Sequence, residues 1–221
     1  MSIWGNPVMM GGSGGESIII SKTIITNGTY NAYYDNADGY NPVTVNVSIG
    51  EEWDLTSETP LIGTHYGLQA SQAGITFGAN GAEFNAAADR MIFPCPVFGN
   101  VPIEIEVEVA QMQLPSVSSH QRFIMANASG KGFIYRSTGE WGMYASGWTM
   151  SGITDRSALD DCTVKVLIGT DGKWNIYKNG VLWWATNVSL FPTGDIRIGE
   201  TDGQSIQSAT IASVKTKLAD N

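Results

Sequence analysis

Residues 163–186 read TVKVLIGTDGKWNIYKNGVLWWAT, and the punctuation of this stretch decides the fold class. Two turn dipeptides, Asp171-Gly172 and Asn179-Gly180, separate three short β-branched and aromatic runs, the pattern of successive hairpins. With Asn179-Gly180 as a two-residue turn, Lys178 pairs with Val181, Ile176 with Trp183 and Trp174 with Ala185, so these residues share one face. Tyr177 with Leu182 and Asn175 with Trp184 take the other face. An Asp171-Gly172 turn adds Leu167 to the first face and Val166 and Ile168 to the second. Both faces are therefore apolar. Assigning Trp174, Ile176 and Trp183 to the core turns Tyr177 and Trp184 outward.

The same texture extends in both directions. PIEIEVEV (102–109) is a strand with Ile103, Ile105, Val107 and Val109 on one face. QRFIMANA (121–128) and GFIYRS (132–137) follow as strands, the second turning through Thr138-Gly139 into EWGMYASGW (140–148). GDIRIGE (194–200) and ATIASVKTKL (209–218) form a closing pair. AEFNAAADRMI (82–92) is compatible with a helical turn, although it sits between strand-like runs. No long helix-period segment appears. The expectation is an all-β chain whose residues 51–221 form a jelly-roll β-sandwich.

The paired hairpins of 163–186 are similar to those of laminin G-like and concanavalin A-like jelly rolls, which show a valine-rich strand, an Asp-Gly turn, a Tyr-bearing strand and a second Gly turn. IEIEVEV and GFIYRSTGEWGMY fit the same pattern. The resemblance implies a lectin-like sandwich, and function only by analogy.

Upstream lie two smaller zones. Residues 1–17 end in GGSGGES, a flexible linker, and begin with SIWGNPV, which carries Ile3, Trp4 and Val8. An apolar tip before a flexible linker suggests a hook that docks into another protein. In residues 18–50, SIIISKTIIT (17–26) reads as a strand ending at the Asn27-Gly28 turn. A polar loop, YDNADGYNP, leads to a second strand in which Val43, Val45, Val47 and Ile49 share a face. Such a pair is not stable alone and needs its apolar face covered. Residues 25–47, ITNGTYNAYYDNADGYNPVTVNV, resemble a short module of tail and other structural proteins of phages infecting Gram-positive bacteria. That likeness implies a virion context, with Asn27, Gly28, Tyr30, Asp38, Gly39, Tyr40 and Val43 as fold-determining positions. Other virion proteins would be partners through the N-terminal segment, and a homotrimer would cover the apolar face.

Composition excludes several classes. The chain is 43% hydrophobic and 15% charged, enough to bury a core. Its formal net charge of −9, with basic residues scattered singly, argues against nucleic acid. No run approaches the roughly 20 apolar residues that cross a bilayer, so no membrane is expected. The first residues lack a basic leader and apolar core, so the expected location is a virion assembled in a host cytoplasm rather than a secreted form. Cys95 and Cys162 are then buried thiols. His65 and His120 offer no ligand spacing with them, and the Asp residues form no calcium-ligand run, so no metal and no cofactor are expected.

Five of the seven tryptophans fall within 141–184. Trp141, Tyr144 and Trp148 lie in a Gly-rich stretch read as a rim loop, and Tyr177 and Trp184 face outward. Aromatic rings stack on sugar C–H faces while Trp and Tyr add a hydrogen-bonding tip. These five form the candidate host-glycan site. Glu104, Glu106 and Glu108 project from one strand face. Some jelly-roll glycosidases carry an acidic trio at this spacing, with Asp in the middle and a tryptophan shortly before it. Here the middle residue is Glu106, and Val97, Phe98 and Val101 stand where the tryptophan belongs. No catalytic residues are therefore assigned and the chain is expected not to be an enzyme. The expected function is a host-attachment or decoration fibre with a lectin-like domain. A purely architectural virion role is the alternative, and a glycoside hydrolase using Glu104 and Glu108 is the third reading.

Overall fold

The computed structural model of the chain describes residues 28–36, 39–47, 50–95, 102–116, 119–126, 130–200 and 204–219. The expected docking tip at 1–17 and the strand at 17–26 lie outside these residues. Two units are present. In the first, β1 (Gly28–Asn36) and β2 (Gly39–Val47) pair antiparallel without interruption, from Gly28 opposite Val47 to Asn36 opposite Gly39. This corrects the expected polar loop, because residues 34–36 and 39–42 of it are paired strand residues and Pro42 sits opposite Tyr33. Tyr30, Tyr33, Tyr34 and Tyr40 favour extended backbone, and their preference outweighs the Asn and Asp turn signals between them.

The second unit runs from Gly50 to Ala219. Its strands are β3 (Gly50–Asp54), β4 (Ser71–Ala73), β5 (Thr76–Gly78), β6 (Gly81–Phe84), β7 (Arg90–Pro94) and β8 (Ile103–Met112). Then come β9 (Gln121–Met125), β10 (Gly132–Arg136), β11 (Glu140–Tyr144) and β12 (Trp148–Met150). The last are β13 (Cys162–Ile168), β14 (Lys173–Lys178), β15 (Val181–Ser189), β16 (Asp195–Gly199) and β17 (Ala209–Leu218). They form two antiparallel sheets, β12-β11-β10-β9-β16-β7-β4 and β15-β14-β13-β8-β17-β6-β5, with β3 also on β17. The protein is an all-β chain whose C-terminal part is a β-sandwich, with no helix among the described residues. The segment 82–92 is strand, turn and strand: Asp89 accepts the Asn85 and Ala86 N–H groups (both 2.7 Å) and closes the turn between β6 and β7.

The two inner faces make one core. On β8, Ile103, Ile105, Val107 and Val109 are buried as the alternation requires, each burial contributing about 1.5–3 kcal/mol. Trp53, Phe84, Phe93, Phe133, Trp141 and Trp174 are the large rings between the sheets. Cys95 and Cys162 are buried free thiols. Burial pushes both thiols above their ordinary range; the Asp195 charge adds to the effect at Cys95, while at Cys162 the Lys178 charge opposes it.

The two hairpins of 163–186 form, the second with the expected pairing at its turn and the first one residue out of the expected register. Asn179 and Gly180 have φ of 50° and 78°, the positive pair of a type I′ turn, and Lys178 faces Val181. The first connection is wider: Ile168 pairs with Trp174, leaving residues 169–173 as the loop. A two-residue turn would have placed Ile168 opposite Asn175. The one-residue difference inverts every face. Val164, Val166 and Ile168 are therefore buried with Trp174 and Ile176, and Leu167 lies on the outer face.

Candidate functional site

The outer face of the smaller sheet carries the candidate site. The β10–β11 hairpin sets Arg136 opposite Glu140, Ile134 opposite Gly142 and Gly132 opposite Tyr144. The next turn sets Tyr144 opposite Trp148, and Arg122 of β9 pairs with Ile134. Directly opposed residues share a face, so Arg122, Ile134, Arg136, Tyr144 and Trp148 all project away from the core. Phe133, Tyr135, Trp141 and Met143 project into it.

Arg122, Ile134, Tyr144 and Trp148, with His120 and Gly130, surround a cleft of about 230 Å³. Trp148 is its centre: the Tyr144 ring lies 5.0 Å away, the His120 ring 4.9 Å away, and the Arg136 guanidinium carbon 5.0 Å from the indole centroid. His120 is oriented by Ser137, whose N–H donates to Nδ1 at 3.0 Å. That bond leaves Nε2 to carry the proton of a neutral ring. Gly130 lies against the Arg122 guanidinium, where a Cβ would approach its carbon and both terminal nitrogens to 2.9 Å. Tyr144 and Trp148 are half-buried, so packing fixes them while part of each ring stays open. The cleft is smaller than the roughly 300–1,000 Å³ of drug-sized sites, which suits a single ring.

The five aromatics expected to form the site separate into three groups. Tyr144 and Trp148 are together in the cleft. Trp141 is corrected to the core: it has no exposed surface, stacks on Phe133 at 4.9 Å, and donates its Nε1–H to the Asp155 carbonyl (3.0 Å). The Gly-rich stretch read as a rim loop is β11, and strand alternation sends Trp141 inward. Trp184 is also corrected. A bulge brings it opposite Ile176, and both Trp183 and Trp184 approach Phe133, at 6.0 and 6.1 Å. Tyr177 does lie on an outer face, but on the other sheet, with the Lys165 ammonium 5.8 Å from its ring. Arg122, Arg136 and His120 were not anticipated. Counting outward along β10 and β11 from the Thr138-Gly139 turn would have placed Arg136 on the face of Tyr144; nothing local marks His120.

A larger cavity of about 450 Å³ lies at the edge of the other sheet, where Glu108, Gln111, Asp161, Thr163 and Asn179 line it. It offers carboxylates, amides and hydroxyls but no ring and no cation. The Glu trio is occupied by cations and a hydroxyl. Lys165 and Lys217 reach Glu104 at 3.4 and 3.2 Å, Lys215 reaches Glu106 at 3.5 Å, and Ser213 donates to Glu108 at 3.3 Å.

The fold and cleft together define a two-sheet β-sandwich with an aromatic and cationic recess on its smaller sheet. No protein-family model matches the chain, and no curated protein sequence does. Among solved structures, it is similar to the sialidase of Trypanosoma rangeli in complex with 2,3-difluorosialic acid as a covalent intermediate. There the TM-score is 0.57 at 12% identity, over 87% of this chain and 41% of that one. A complex of the same sialidase with 2,3-difluoro-KDN gives 0.59 at 13%, over 84% and 33%. The receptor binding domain of botulinum neurotoxin D gives 0.52 at 11%, over 78% and 49%. The chain thus spans less than half the length of each of these structures, and likeness at this identity establishes the fold. It also corrects the expectation that the chain is not an enzyme, since structures of an enzyme are among those sharing its architecture. That expectation rested on one strand failing one family's carboxylate pattern. Catalytic constellations are defined by geometry and assemble from residues scattered in sequence.

Proposed function

We propose that the sandwich is a lectin-like glycan-binding module that a bacteriophage particle uses for host attachment or decoration. The observation that carries the proposal is the Trp148–Tyr144–His120 recess, one ring in size and lined by the Arg122 guanidinium, with the Arg136 guanidinium over the Trp148 ring. Packed aromatic rings present C–H-complementary faces, and the imidazole and guanidinium edges supply directed donors to hydroxyls. The receptor-binding and sialidase structures of like fold lend support at the level of architecture. The Asn-Gly-Thr-Tyr module at 25–47 supports the virion context, with residues 1–17 docking to other virion proteins and a homotrimer as the assembled form. The test is a glycan array on the full chain with tryptophan fluorescence as readout. Saturable binding lost in Trp148→Ala and retained in Tyr177→Ala supports the proposal; silence of the folded protein across the array refutes it.

A second reading, an architectural virion subunit, draws on the tip of the β14–β15 hairpin. Val181 and Leu182 are 71% and 54% exposed there, on an edge strand, VLWWATNVS, without a single charge. Natural sheet edges are usually blunted by charge or proline, so this edge suits a subunit contact. A monomeric mass by light scattering counts against both the trimer and this contact.

A further inference from the structure

We infer that the ligand of the Trp148 cleft is an anionic sugar, one bearing a carboxylate or phosphate, and that Arg136 is its counter-charge. The inference rests on the glycan-binding reading and goes further by fixing the ligand's charge. The smaller sheet carries four arginines on its outer face, and two of them show how the protein neutralises such groups. Arg90 and Arg197 both reach the buried Glu200 at 3.4 Å, and Arg197 also lies 3.5 Å from Asp195. Arg136 is different. It makes no ion pair among the described residues, unlike Arg90 and Arg197; its buried Nε is a feature all four arginines share and does not set it apart. The nearest acidic side chain in register is that of Glu140, directly opposite on β11. Glu140 instead accepts the Gly152 N–H at 2.5 Å.

What Arg136 does have is the Trp148 ring beneath it, at 5.0 Å. A cation–π contact holds a guanidinium in place without discharging it, so its N–H fork stays available to a planar or tetrahedral anion. In a chain of net charge −9, a half-buried guanidinium with no carboxylate paired to it gives the border of the recess a local positive charge that an anion can meet. The Arg122 guanidinium lines the cleft on the same face, packed against Gly130.

The probes are three sets of immobilised glycans on matched backbones: neutral, uronate- or sialate-bearing, and sugar phosphates. Each is tested with the full chain, Arg136→Gln and Trp148→Ala. The expected result is a preference of about tenfold or more for charged over neutral members, the scale of one charge-assisted fork. Arg136→Gln should abolish the preference, and sodium chloride should weaken charged-ligand binding. Capture of only the carboxylated or only the phosphorylated set supports the inference and identifies the group. Equal binding of neutral and charged members, lost in Trp148→Ala and unchanged in Arg136→Gln, overturns the anion while leaving the glycan site intact. Absence of binding to all three sets overturns both.

Discussion

Glu51 provides the sharpest test of the structural reasoning. It faces inward from β3 beside Trp53 and is 1% exposed, yet it is a carboxylate. Its two oxygens accept four backbone N–H groups: Glu52 at 3.1 Å and His65 at 2.7 Å on Oε1, Tyr66 at 2.8 Å and Leu68 at 3.2 Å on Oε2. The side chain therefore holds the loop 63–68 in shape, and the Trp53 indole clamps it by donating to the Leu68 carbonyl at 2.9 Å. Glu51→Gln keeps one carbonyl oxygen and replaces the other with an amide NH₂, which sets donors against the Tyr66 and Leu68 N–H groups. Two charge-assisted bonds at about 1.5–3 kcal/mol each give an expected loss of ~3–6 kcal/mol. For a domain of this size that corresponds to a fall in Tm on the order of 10 °C. Thermal melts followed by tryptophan fluorescence, with amide exchange at His65, Tyr66 and Leu68, measure it. Lost protection at those amides with an unchanged Tm would mean that the loop opens as its own unit. A Gln variant with wild-type melting and wild-type protection would refute the role given to the carboxylate.

Further outcomes follow from the same geometry. Trp141→Ala should cost about 3–5 kcal/mol, the range for a large buried aromatic, whereas Trp148→Ala should leave urea stability within about 1 kcal/mol and act on ligand binding. Cys95 and Cys162 have thiol pKa values raised by burial, so native protein should resist iodoacetamide and stay unreactive as pH rises through the ordinary thiol range. The unfolded chain should react faster over that interval. The folded pKa lies above the unfolded one, so this contribution to stability is complete below the unfolded pKa and is lost as pH climbs past it. Cys95→Ala should therefore soften the alkaline fall in Tm, which a pH series of melts checks.

Strand identity was legible because the alternation in β8 and the Asn179-Gly180 turn are local facts. Register was not. The Asp171-Gly172 dipeptide reads as a two-residue turn, but the Gly172 N–H donates to the Gly169 carbonyl and the Gly169 N–H to the Lys173 carbonyl, making a five-residue loop. One residue of slip exchanged Leu167 for Val166 and Ile168 in the core. The bulge in β15 brings Trp184, half-buried, against the core beside Trp183. Tyr144 and Trp148 were legible as a pair because one short turn joins them. Arg122 and His120 reach the cleft from β9 and the residue before it, and no local pattern announces that convergence. Glu51 breaks the rule that inward positions are apolar, and only the loop it binds explains it.

The two outer faces of the sandwich differ in a way that decides where a ligand belongs. On the larger sheet the register places Glu106 between Lys165 and Lys215 and sets Glu104 opposite Lys217. Carboxylates and ammonium groups there satisfy one another, and Lys215 keeps its proton more firmly than an ordinary lysine because Glu52 and Glu106 outweigh the penalty of burial. Such a ladder keeps a sheet face wet and contributes little binding energy. A ligand would have to break these pairs to engage it. On the smaller sheet Arg90 and Arg197 are similarly committed to Glu200, but at Arg136 the opposite Glu140 turns to the Gly152 N–H and the guanidinium lies over the Trp148 ring. A ligand entering there displaces no ion pair of Arg136, which is why we place the proposed ligand in the smaller recess rather than in the larger polar cavity.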